Sequence, residues 1–287
     1  MKKKINKRLK ALFQMDPFEN LNKKNDSTIC IINEAIKKNF EIWFCSPKNI
    51  SVLGNKVFAK VQRIKNDLSL ESPTIVTIDK FDFFFIRQDP PFDLNYLTNC
   101  YLLELHKNYN QKPYFVNCPS GIKNFTEKIF PLYFLNLMPK TCITSNEKTF
   151  IKILSELKIV VIKTLFNKGG EGVFKVSDLN KNDSLKHFKL LLKKYRVPVV
   201  VQKFIPLVSK GDKRVILIDG EPKGVVNRIP AKGSFKANLH LGGQAKQTSL
   251  TKKEKKICDV LKPILKKEGL FFVGIDLISE KLTEINV

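Results

Sequence analysis

Short apolar runs alternate with segments of helical spacing over residues 1–118, and this alternation restricts the fold more than any other feature. Strands are predicted at LKALFQM, EIWFCS, FDFFFI and PYFVN. Between them, STICIINEAIKKN has apolar residues at helical spacing after a suitable N-cap, Asp26 or Ser27, and a second helix is predicted near residues 94–108. Strands that alternate with helices predict an α/β domain with a doubly wound sheet.

Two polar motifs directly follow strands of this predicted sheet. MDPFENLN follows the first strand, and RQDPPFD follows the run FDFFFI. Ligands of doubly wound sheets bind beyond the carboxyl ends of the strands. We therefore expect both motifs to lie on the binding edge of the sheet. The polar stretch at residues 47–73 predicts at most a hairpin.

The second half of the chain has a different order of elements. A helix is predicted around KNFTEKIFPLYFL, and later helices near residues 146–157, 184–195 and 251–267. Strands are predicted at KTCIT, IVVIKT, VFKV and VPVVVQKFI. The segment RVILIDGEPKGVVNR predicts a hairpin that turns at Asp219 and Gly220, and FFVGIDLI with LTEINV predicts a closing hairpin.

Composition limits the class of protein. The chain has 287 residues, 43% of them hydrophobic, and a formal charge of +24 that comes almost entirely from lysines spread along the sequence. Zinc-finger spacings and lysine patches with interleaved aromatic residues are absent from the sequence, so nucleic acid is not the expected partner. A membrane is not expected either, since no apolar run approaches the ~20 residues of a span. Six scattered cysteines favour reduced thiols in the cytosol.

Arginine is scarce, which makes its positions informative. The arginines are Arg8, Arg63, Arg87, Arg196, Arg214 and Arg228. A planar guanidinium grips carboxylate or phosphate through two parallel hydrogen bonds, which a lysine cannot do. Arg87 directly follows a buried strand at the predicted binding edge, so we expect it to pair with a substrate carboxylate.

The closing hairpin carries three side chains with oxygen donors, Asp276, Glu284 and Asn286. Glu284 and Asn286 are two residues apart and share one face of the last strand. A three-residue loop, Ser279 to Lys281, would put Asp276 directly opposite Glu284, whereas a two-residue loop would put them on opposite faces. Two carboxylates and an amide oxygen suit magnesium with bound phosphate better than zinc. An ordinary solvated hairpin face is the alternative.

Further signals precede this hairpin. Lys163 ends an apolar strand directly before a loop that contains Gly169 and Gly170, and such a loop can fold over phosphates, although an ordinary turn has the same pattern. The strand VVVQKFI either offers backbone groups to an adenine edge or is simply buried. In GDKRV we expect Asp212 and Arg214 on alternate sides of a strand.

The order of these motifs resembles that of the ATP-grasp ligases, and their details resemble the prokaryotic glutathione synthetase family. The match runs over nearly the whole chain and includes MDPFENLNKKNDST, RQDPPFD, NCPSGIKNFTEKIF, QKFIP, GDKRVILIDGEP, NRIPAKGSFKANLHLGG and GLFFVGIDLISEKLTEINV. The resemblance implies an ATP-grasp fold preceded by a Rossmann-like, doubly wound substrate domain at residues 1–118. It divides the ATP-grasp part into a central lid subdomain at 119–200 and a C-terminal subdomain with the metal site at 201–287.

The resemblance also implies roles for individual residues. The catalytic residues would be Arg214, Arg228 and Lys236. The ligands of two magnesium or manganese ions would be Asp276, Glu284 and Asn286. The ATP site would consist of Lys128, Lys163, Asn167, Lys168, Gly169, Gly170, Gln202, Lys203, Phe204, Ile205 and Asp212. The site for the other substrates would consist of Asp16, Asn22, Arg87, Asp89, Asn238, Gly242 and Gly243.

The implied reaction makes glutathione from γ-glutamylcysteine, glycine and ATP through an acyl phosphate, in a cytosolic homo-oligomer, a tetramer. Some positions depart from the family pattern: the loop at 166–170 reads FNKGG instead of DGMGG, Lys232 replaces a glycine, and Lys236 replaces an arginine. The family continues past LTEINV with a Ser/Thr-Pro segment and a final helix. We therefore expect a chain that ends at Val287 to bind ATP but to turn over poorly.

Two alternatives stay open at this point. The altered loops are compatible with an ATP-grasp ligase that acts on another amino acid or peptide. The net charge of +24 is compatible with a non-catalytic nucleotide-binding remnant or a basic binding protein. Phosphate release that depends on both γ-glutamylcysteine and glycine separates glutathione synthesis from these alternatives.

Overall fold

The computed structural model describes residues 8–21 and 26–287, with the backbone alone at His240. The chain divides into two compact units, residues 1–124 and residues 125–287. The proposed subdivision at residues 118 and 200 stays a prediction. Asn22, a predicted substrate residue, lies outside the described residues.

A mixed sheet forms the core of the first unit. The described residues of this unit contain β1 (Lys10–Met15), α1 (Ser27–Lys37), β2 (Glu41–Cys45), β3 (Ile50–Leu53), β4 (Lys56–Ile64), β5 (Thr74–Thr77), β6 (Phe83–Arg87), α2 (Leu94–Tyr109), β7 (Tyr114–Val116) and α3 (Pro119–Asn124). The strand order is β3-β4-β2-β1-β6-β7, with β5 paired to β4. The four strands β2, β1, β6 and β7 are parallel, as the alternating pattern predicts.

The polar stretch at 47–73 contributes more to this sheet than the sequence predicts. It does form a hairpin, since β3 pairs antiparallel with β4. However, β4 also pairs antiparallel with β2 and β5, so the stretch extends the parallel sheet instead of standing apart from it. In β4, the alternating Val57, Ala59 and Val61 are buried, which is the period of a strand with one face on a core.

Helix α1 begins where its N-cap predicts. The Asp26 carboxylate accepts hydrogen bonds from the backbone N–H groups of Thr28 (2.7 Å) and Ile29 (3.2 Å). Ile29 and Ile32 then pack on the buried face of β1 and β2. The pairing of Met15 with Arg87 brings the carboxyl ends of β1 and β6 to one edge, which confirms the predicted placement of both polar motifs.

Two sheets form the second unit. Residues 125–287 contain β8 (Thr141–Thr144), α4 (Glu147–Leu157), β9 (Ile159–Lys163), β10 (Phe174–Ser177), α5 (Lys181–Tyr195), β11 (Val199–Lys203), β12 (Asp212–Ile218), β13 (Glu221–Ile229), β14 (Gln244–Gln247), α6 (Lys252–Lys267), β15 (Phe272–Ile278) and β16 (Lys281–Asn286). The strand orders are β10-β9-β11-β8 and β14-β13-β12-β15-β16. On the four-stranded sheet, Phe150 of α4 stacks on Phe188 of α5 at 4.3 Å between ring centroids.

The helix predicted around KNFTEKIFPLYFL does not form. Helix α3 ends at Asn124, and a 3₁₀ segment follows at Phe130–Leu137 with a kink at Phe134 (φ −129°, ψ 50°). Pro131 is the physical reason, because it lacks the N–H that a continuous α-helix would need at this point. Among the described residues, no helix is both long enough and apolar enough to cross a membrane.

Both predicted hairpins of the five-stranded sheet are present. Asp219 and Gly220 have φ values of 51° and 76°, as a tight two-residue turn requires. The closing hairpin also turns through two residues, Ser279 and Glu280, and not through the three that would align Asp276 with Glu284. A bulge restores that alignment: Leu277 pairs with Leu282, but Asp276 pairs with Glu284, so Thr283 is the additional residue.

Candidate active site

Buried ion pairs join three strands of the five-stranded sheet. Arg214 lies opposite Asp276 and donates to it twice, from Nε to Oδ1 at 2.5 Å and from Nη2 to Oδ2 at 2.9 Å. The Nη2 atom of Arg228 lies 2.9 Å from Asp276 Oδ1 and 2.7 Å from Asp212 Oδ2. Asp276, with 4% of its side chain exposed, therefore forms ion pairs with two guanidinium groups.

Asp212 and Arg214 face the same side of β12, which corrects the expectation that they lie on alternate sides. Residues two apart on a strand share a face, and here both side chains join the same ion-pair cluster. Burial, assisted by the negative charge of Asp276, raises the pKa of the Asp212 carboxyl to about 7. Asp212 Oδ1 and Arg228 Nε are buried without a hydrogen-bond partner among the described residues, so the oxygen can still accept from a ligand and the Nε–H can donate to one.

Lys163 and Glu284 form a second buried ion pair. Lys163 ends β9, and its Nζ lies 3.2 Å from Glu284 Oε1 on β16. Burial by itself would raise the pKa of the Glu284 carboxyl, but the nearby ammonium groups of Lys163 and Lys128 outweigh burial and hold that pKa well below its usual range. Glu284 also lies directly opposite Asp276 on the neighbouring strand, so both carboxylates can reach one cation.

Lys128 is held by a neighbour that the sequence reasoning missed. Its Nζ donates to Glu127 Oε1 at 2.7 Å and to the Asn167 carbonyl at 3.0 Å. Glu127 also hydrogen-bonds the Glu284 carboxylate, and burial together with the charge of Glu284 raises the pKa of Glu127 to about 8. The only sequence signal is the acidic residue directly before the lysine in NFTEKIF.

The predicted glycine loop, residues 166–170, lies against a second loop, residues 230–243, between β13 and β14. Gly169 and Gly170 have φ values of 72° and 74°, which favour glycine. Lys236 Nζ donates to the Gly170 carbonyl at 2.8 Å, and a Cβ atom on Gly170 would lie 3.0 Å from Asn238 Oδ1. The two loops approach closely because Gly170 has no side chain.

The second loop turns through Gly242 and Gly243. Gly242 has a φ of 89°, and its N–H donates to the Leu239 carbonyl at 3.1 Å. A Cβ atom on Gly243 would lie 2.6 Å from the Ala237 carbonyl oxygen, so a side chain there would force the backbone to move. Both glycines thus shape the loop that carries Lys236 and Asn238.

Part of the segment predicted to bind adenine already makes hydrogen bonds within the fold. Gln202 is buried and donates from Nε2 to Thr141 Oγ1 at 2.9 Å. The backbone N–H groups of Lys203 and Phe204 donate to the carbonyls of Lys140 (2.8 Å) and Ile159 (3.1 Å). These two donors are therefore unavailable to adenine, and an adenine edge would have to use other backbone groups between Gln202 and Ile205.

In the first unit, Arg87 is oriented by hydroxyl groups. Its Nε donates to Thr28 Oγ1 at 3.2 Å, and its Nη2 donates to Ser27 Oγ at 3.0 Å. Both hydroxyls belong to the first turn of α1. At the same edge, the Asp89 N–H donates to Asp16 Oδ2 at 3.1 Å, which joins the two predicted substrate motifs.

The carboxylate and amide set on the closing hairpin fits a hard divalent cation. Asn286 Nδ2 donates to the Gly274 carbonyl at 3.2 Å, which leaves the amide oxygen as a donor to a cation. Within the described ranges, no group of three or more His, Cys, Asp or Glu side chains could hold a metal ion. A cation at Asp276 and Glu284 would thus need the amide oxygen and phosphate oxygens, which is how proteins commonly bind magnesium.

Both units match known protein families. Residues 9–123 match the prokaryotic glutathione synthetase N-terminal domain, and residues 127–287 match the prokaryotic glutathione synthetase ATP-grasp domain. A glutathione synthetase of Prochlorococcus marinus subsp. pastoris is 39% identical, over 97% of this chain and 91% of the relative. A glutathione synthetase of Agrobacterium fabrum is 38% identical, over 96% of this chain and 86% of the relative.

Solved structures agree on the fold. D-alanyl-alanine synthetase A of Vibrio cholerae aligns with a TM-score of 0.60 at 14% identity, over 97% of this chain and 88% of that one. D-cycloserine synthetase DcsG aligns with a TM-score of 0.65 at 11% identity, over 96% and 91%. With the family matches, these alignments confirm the predicted α/β class and an ATP-grasp fold preceded by an N-terminal sheet domain.

Proposed function

Because the chain belongs to the prokaryotic glutathione synthetase family and is therefore an ATP-dependent ligase, we propose that it joins γ-glutamylcysteine to glycine. The cysteinyl carboxylate attacks the γ-phosphate of ATP and releases ADP. The glycine amine then attacks the acyl phosphate, loses a proton and displaces phosphate. The observation that carries the proposal is the buried cluster of Lys128, Lys163, Arg214 and Arg228 around Asp276 and Glu284.

Lys128 and Lys163 bind the phosphates of ATP in this proposal. Both ammonium groups lie in a buried cluster, where a charge acts more strongly than in water. Phosphate oxygens can take the place of Glu284 at Lys163, whereas Lys128 keeps its contacts with Glu127 and the Asn167 carbonyl and offers its third N–H to phosphate. Asn167, Lys168, Gly169 and Gly170 cover the phosphates, Gln202 to Ile205 line the adenine, and the free Oδ1 of Asp212 accepts from the ribose.

Asp276, Glu284 and Asn286 would hold magnesium, or manganese in its place. A metal ion at this position would supply positive charge that offsets the negative charge developing during phosphoryl transfer. Arg214 and Arg228 keep Asp276 in place through three hydrogen-bonding distances of 2.5 to 2.9 Å. The ligand position is therefore set before the cation arrives, which reduces the cost of reorganisation.

The remaining roles follow the chemistry of each side chain. Arg214, Arg228 and Lys236 stabilise the transferring phosphoryl group, and the contact of Lys236 with Gly170 draws the two loops together to exclude water from the acyl phosphate. Arg87 grips a carboxylate of γ-glutamylcysteine through its planar guanidinium. The other proposed substrate residues are Asp16, Asn22, Asp89, Asn238, Gly242 and Gly243.

A cytosolic location and a homo-oligomeric state, a tetramer, complete the proposal. All six cysteines are free thiols, which is typical of a reducing compartment. Light scattering on the purified chain tests the oligomeric state.

Coupled assays test the activity. Phosphate release should require ATP, γ-glutamylcysteine and glycine together, with glutathione identified by mass spectrometry. Calorimetry should detect magnesium-dependent ATP binding, weakened about tenfold or more in Lys163→Ala, as expected for the loss of one charged contact. Turnover with a different acceptor and none with glycine would favour another ligase of this fold. ATP binding without any ligation would favour the non-catalytic alternative.

A further inference from the structure

Glu127 makes three contacts that together join the nucleotide and metal sides of the candidate site. Its Oε1 accepts from Lys128 Nζ at 2.7 Å, and its carboxyl group hydrogen-bonds the Glu284 carboxylate. Its backbone carbonyl accepts from the Ile285 N–H at 3.1 Å. Glu127 lies outside any helix or strand, between α3 and the 3₁₀ segment at Phe130–Leu137, so these contacts determine where it sits.

The contacts form one continuous series. The Asn167 carbonyl of the glycine loop binds Lys128, Lys128 binds Glu127, Glu127 binds Glu284, and Glu284 binds Lys163. Glu127 is thus the link between the base of the glycine loop and the last strand of the five-stranded sheet. The four charged side chains of this series are at most 20% exposed, so solvent screens their interactions only weakly.

Without Glu127, the charges of the site would attract one another into a different arrangement. Lys128 is already drawn electrostatically toward Glu284, which also holds Lys163. A lysine that lost its contact with Glu127 would move to Glu284 and surround that carboxylate with two ammonium groups. Glu284 would then be less available to a cation, and Lys128 would be less available to phosphate.

We propose that Glu127 is a positioning residue for ATP binding, which holds Lys128 toward the glycine loop and away from Glu284. The inference rests on the proposed roles of Lys128 and Glu284 in the nucleotide and metal site. What matters in it is that a side-chain oxygen lies 2.7 Å from Lys128 Nζ, which a side chain of the same length can supply. A glutamine can make both contacts, whereas an aspartate keeps the charge but is one methylene shorter.

The test compares Glu127→Gln, Glu127→Asp and Glu127→Ala by calorimetry with ATP and magnesium on the full chain. Glu127→Asp and Glu127→Ala should raise the Kd for ATP by about ten- to a hundredfold, the effect of one charged hydrogen bond. Glu127→Gln should remain within about threefold of the wild type. In steady-state assays, the KM for ATP should rise in the Asp and Ala variants while the KM for γ-glutamylcysteine stays unchanged.

Glu254→Ala is the matched control. Glu254 is also a buried carboxylate paired with a lysine, at 2.7 Å from Lys213 Nζ, in the same unit but outside the candidate site. Its loss should lower the Tm without changing the Kd for ATP. Should Glu127→Ala fail to fold, the Gln and Asp variants still decide between position and charge.

Three outcomes would overturn the inference. Wild-type affinity in Glu127→Asp and Glu127→Ala would show that Glu127 positions nothing. Strong ATP binding in Glu127→Asp with weak binding in Glu127→Gln would show that charge, and not position, is the role of Glu127. No ATP binding by the wild type would instead refute the proposed nucleotide site, and this inference with it.

Discussion

The two units hold their functional cations in different ways. In the first unit, Arg87 donates to the hydroxyls of Ser27 and Thr28, which orient the guanidinium. The carboxylates of Asp89 and Asp26 also attract it electrostatically. In the second unit, Lys163 and Arg214 donate to the carboxylates of Glu284 and Asp276, so opposite charges neutralise one another. A cation is therefore oriented for an anionic ligand by hydroxyl groups in the first unit and by an ion-pair network in the second.

The difference has consequences for binding and stability. A ligand anion at Arg87 adds an ion pair to contacts that already exist. A phosphate at Lys163 must instead compete with Glu284 for the lysine ammonium group. A cation bound to the Glu284 carboxylate would remove this competition. We therefore expect substitutions in the second unit to affect folding and activity together, and substitutions in the first unit to affect substrate affinity alone.

Removal of the central carboxylate should have the largest effect. Asp276→Asn leaves Arg214 without its partner and Arg228 with one of its two, so we expect a loss of about 3–5 kcal/mol in the free energy of unfolding, as for a broken buried ion pair. Glutathione formation should fall below detection. Urea denaturation measures the stability. Asp178→Asn is the control, since its lysine partners are exposed, and an equal loss in that variant would contradict the argument.

Replacement of the hydroxyl-held arginine should affect binding without affecting folding. Arg87→Lys loses bidentate geometry, so we expect the KM for γ-glutamylcysteine to rise by about tenfold or more while the Tm stays unchanged. Initial rates at saturating ATP measure the change. Arg63→Lys, 3.7 Å from Glu71 in the same unit, should leave the KM unchanged. Equal substrate affinity of Arg87→Lys and the wild type would refute the assignment.

The sequence predicted local features better than features that depend on strand register. The α1 cap and the Asp219–Gly220 turn depend on neighbouring residues only, and both are confirmed. The alignment of Asp276 with Glu284 is confirmed too, but it arises from the bulge at Thr283, which no residue pattern in the sequence predicts. Residue spacing therefore predicted the correct pair of opposed residues but the wrong length of the hairpin loop.

Residues that act through distant partners were harder to predict. Glu127 lies 157 positions before Glu284, its partner in the fold, so its role depends on tertiary packing. The error over Asp212 and Arg214 was different in kind, because the two-residue period of a strand already places them on one face. Family resemblance supplied most of the candidate site residues, and the structure adds the contacts that connect them.

A smaller effect is expected where a backbone carbonyl is the acceptor. Lys236→Ala removes the 2.8 Å contact with the Gly170 carbonyl, so we expect the glycine loop to be cleaved faster by a protease and the KM for ATP to rise about three- to tenfold. Limited proteolysis with and without ATP measures the first effect. Lys232→Ala, in the same loop, is the control. Unchanged cleavage in Lys236→Ala would mean that this contact does not hold the loop.

The smallest effect is a pH dependence that the Glu127 carboxyl gives to the second unit. The pKa of Glu127 is raised to about 8, above its ordinary value near 4.5, so the folded chain binds a proton that the unfolded chain has lost between these pH values. Ionisation of the Glu127 carboxyl must therefore lower stability as pH rises through this window, and Asp212, whose pKa is raised to about 7, acts in the same sense. Glu284, with a lowered pKa, acts in the opposite sense, but only below pH 4.5. Glu127→Gln cannot titrate, so its Tm relative to the wild type should increase from pH 5 to 8, by at least ~2 °C. Thermal unfolding without metal or nucleotide measures this difference.

Thr28→Val in the first unit removes a hydroxyl that does not titrate, and should leave the pH profile parallel to that of the wild type. Parallel profiles for Glu127→Gln as well would mean that the Glu127 carboxyl is ionised in the folded chain.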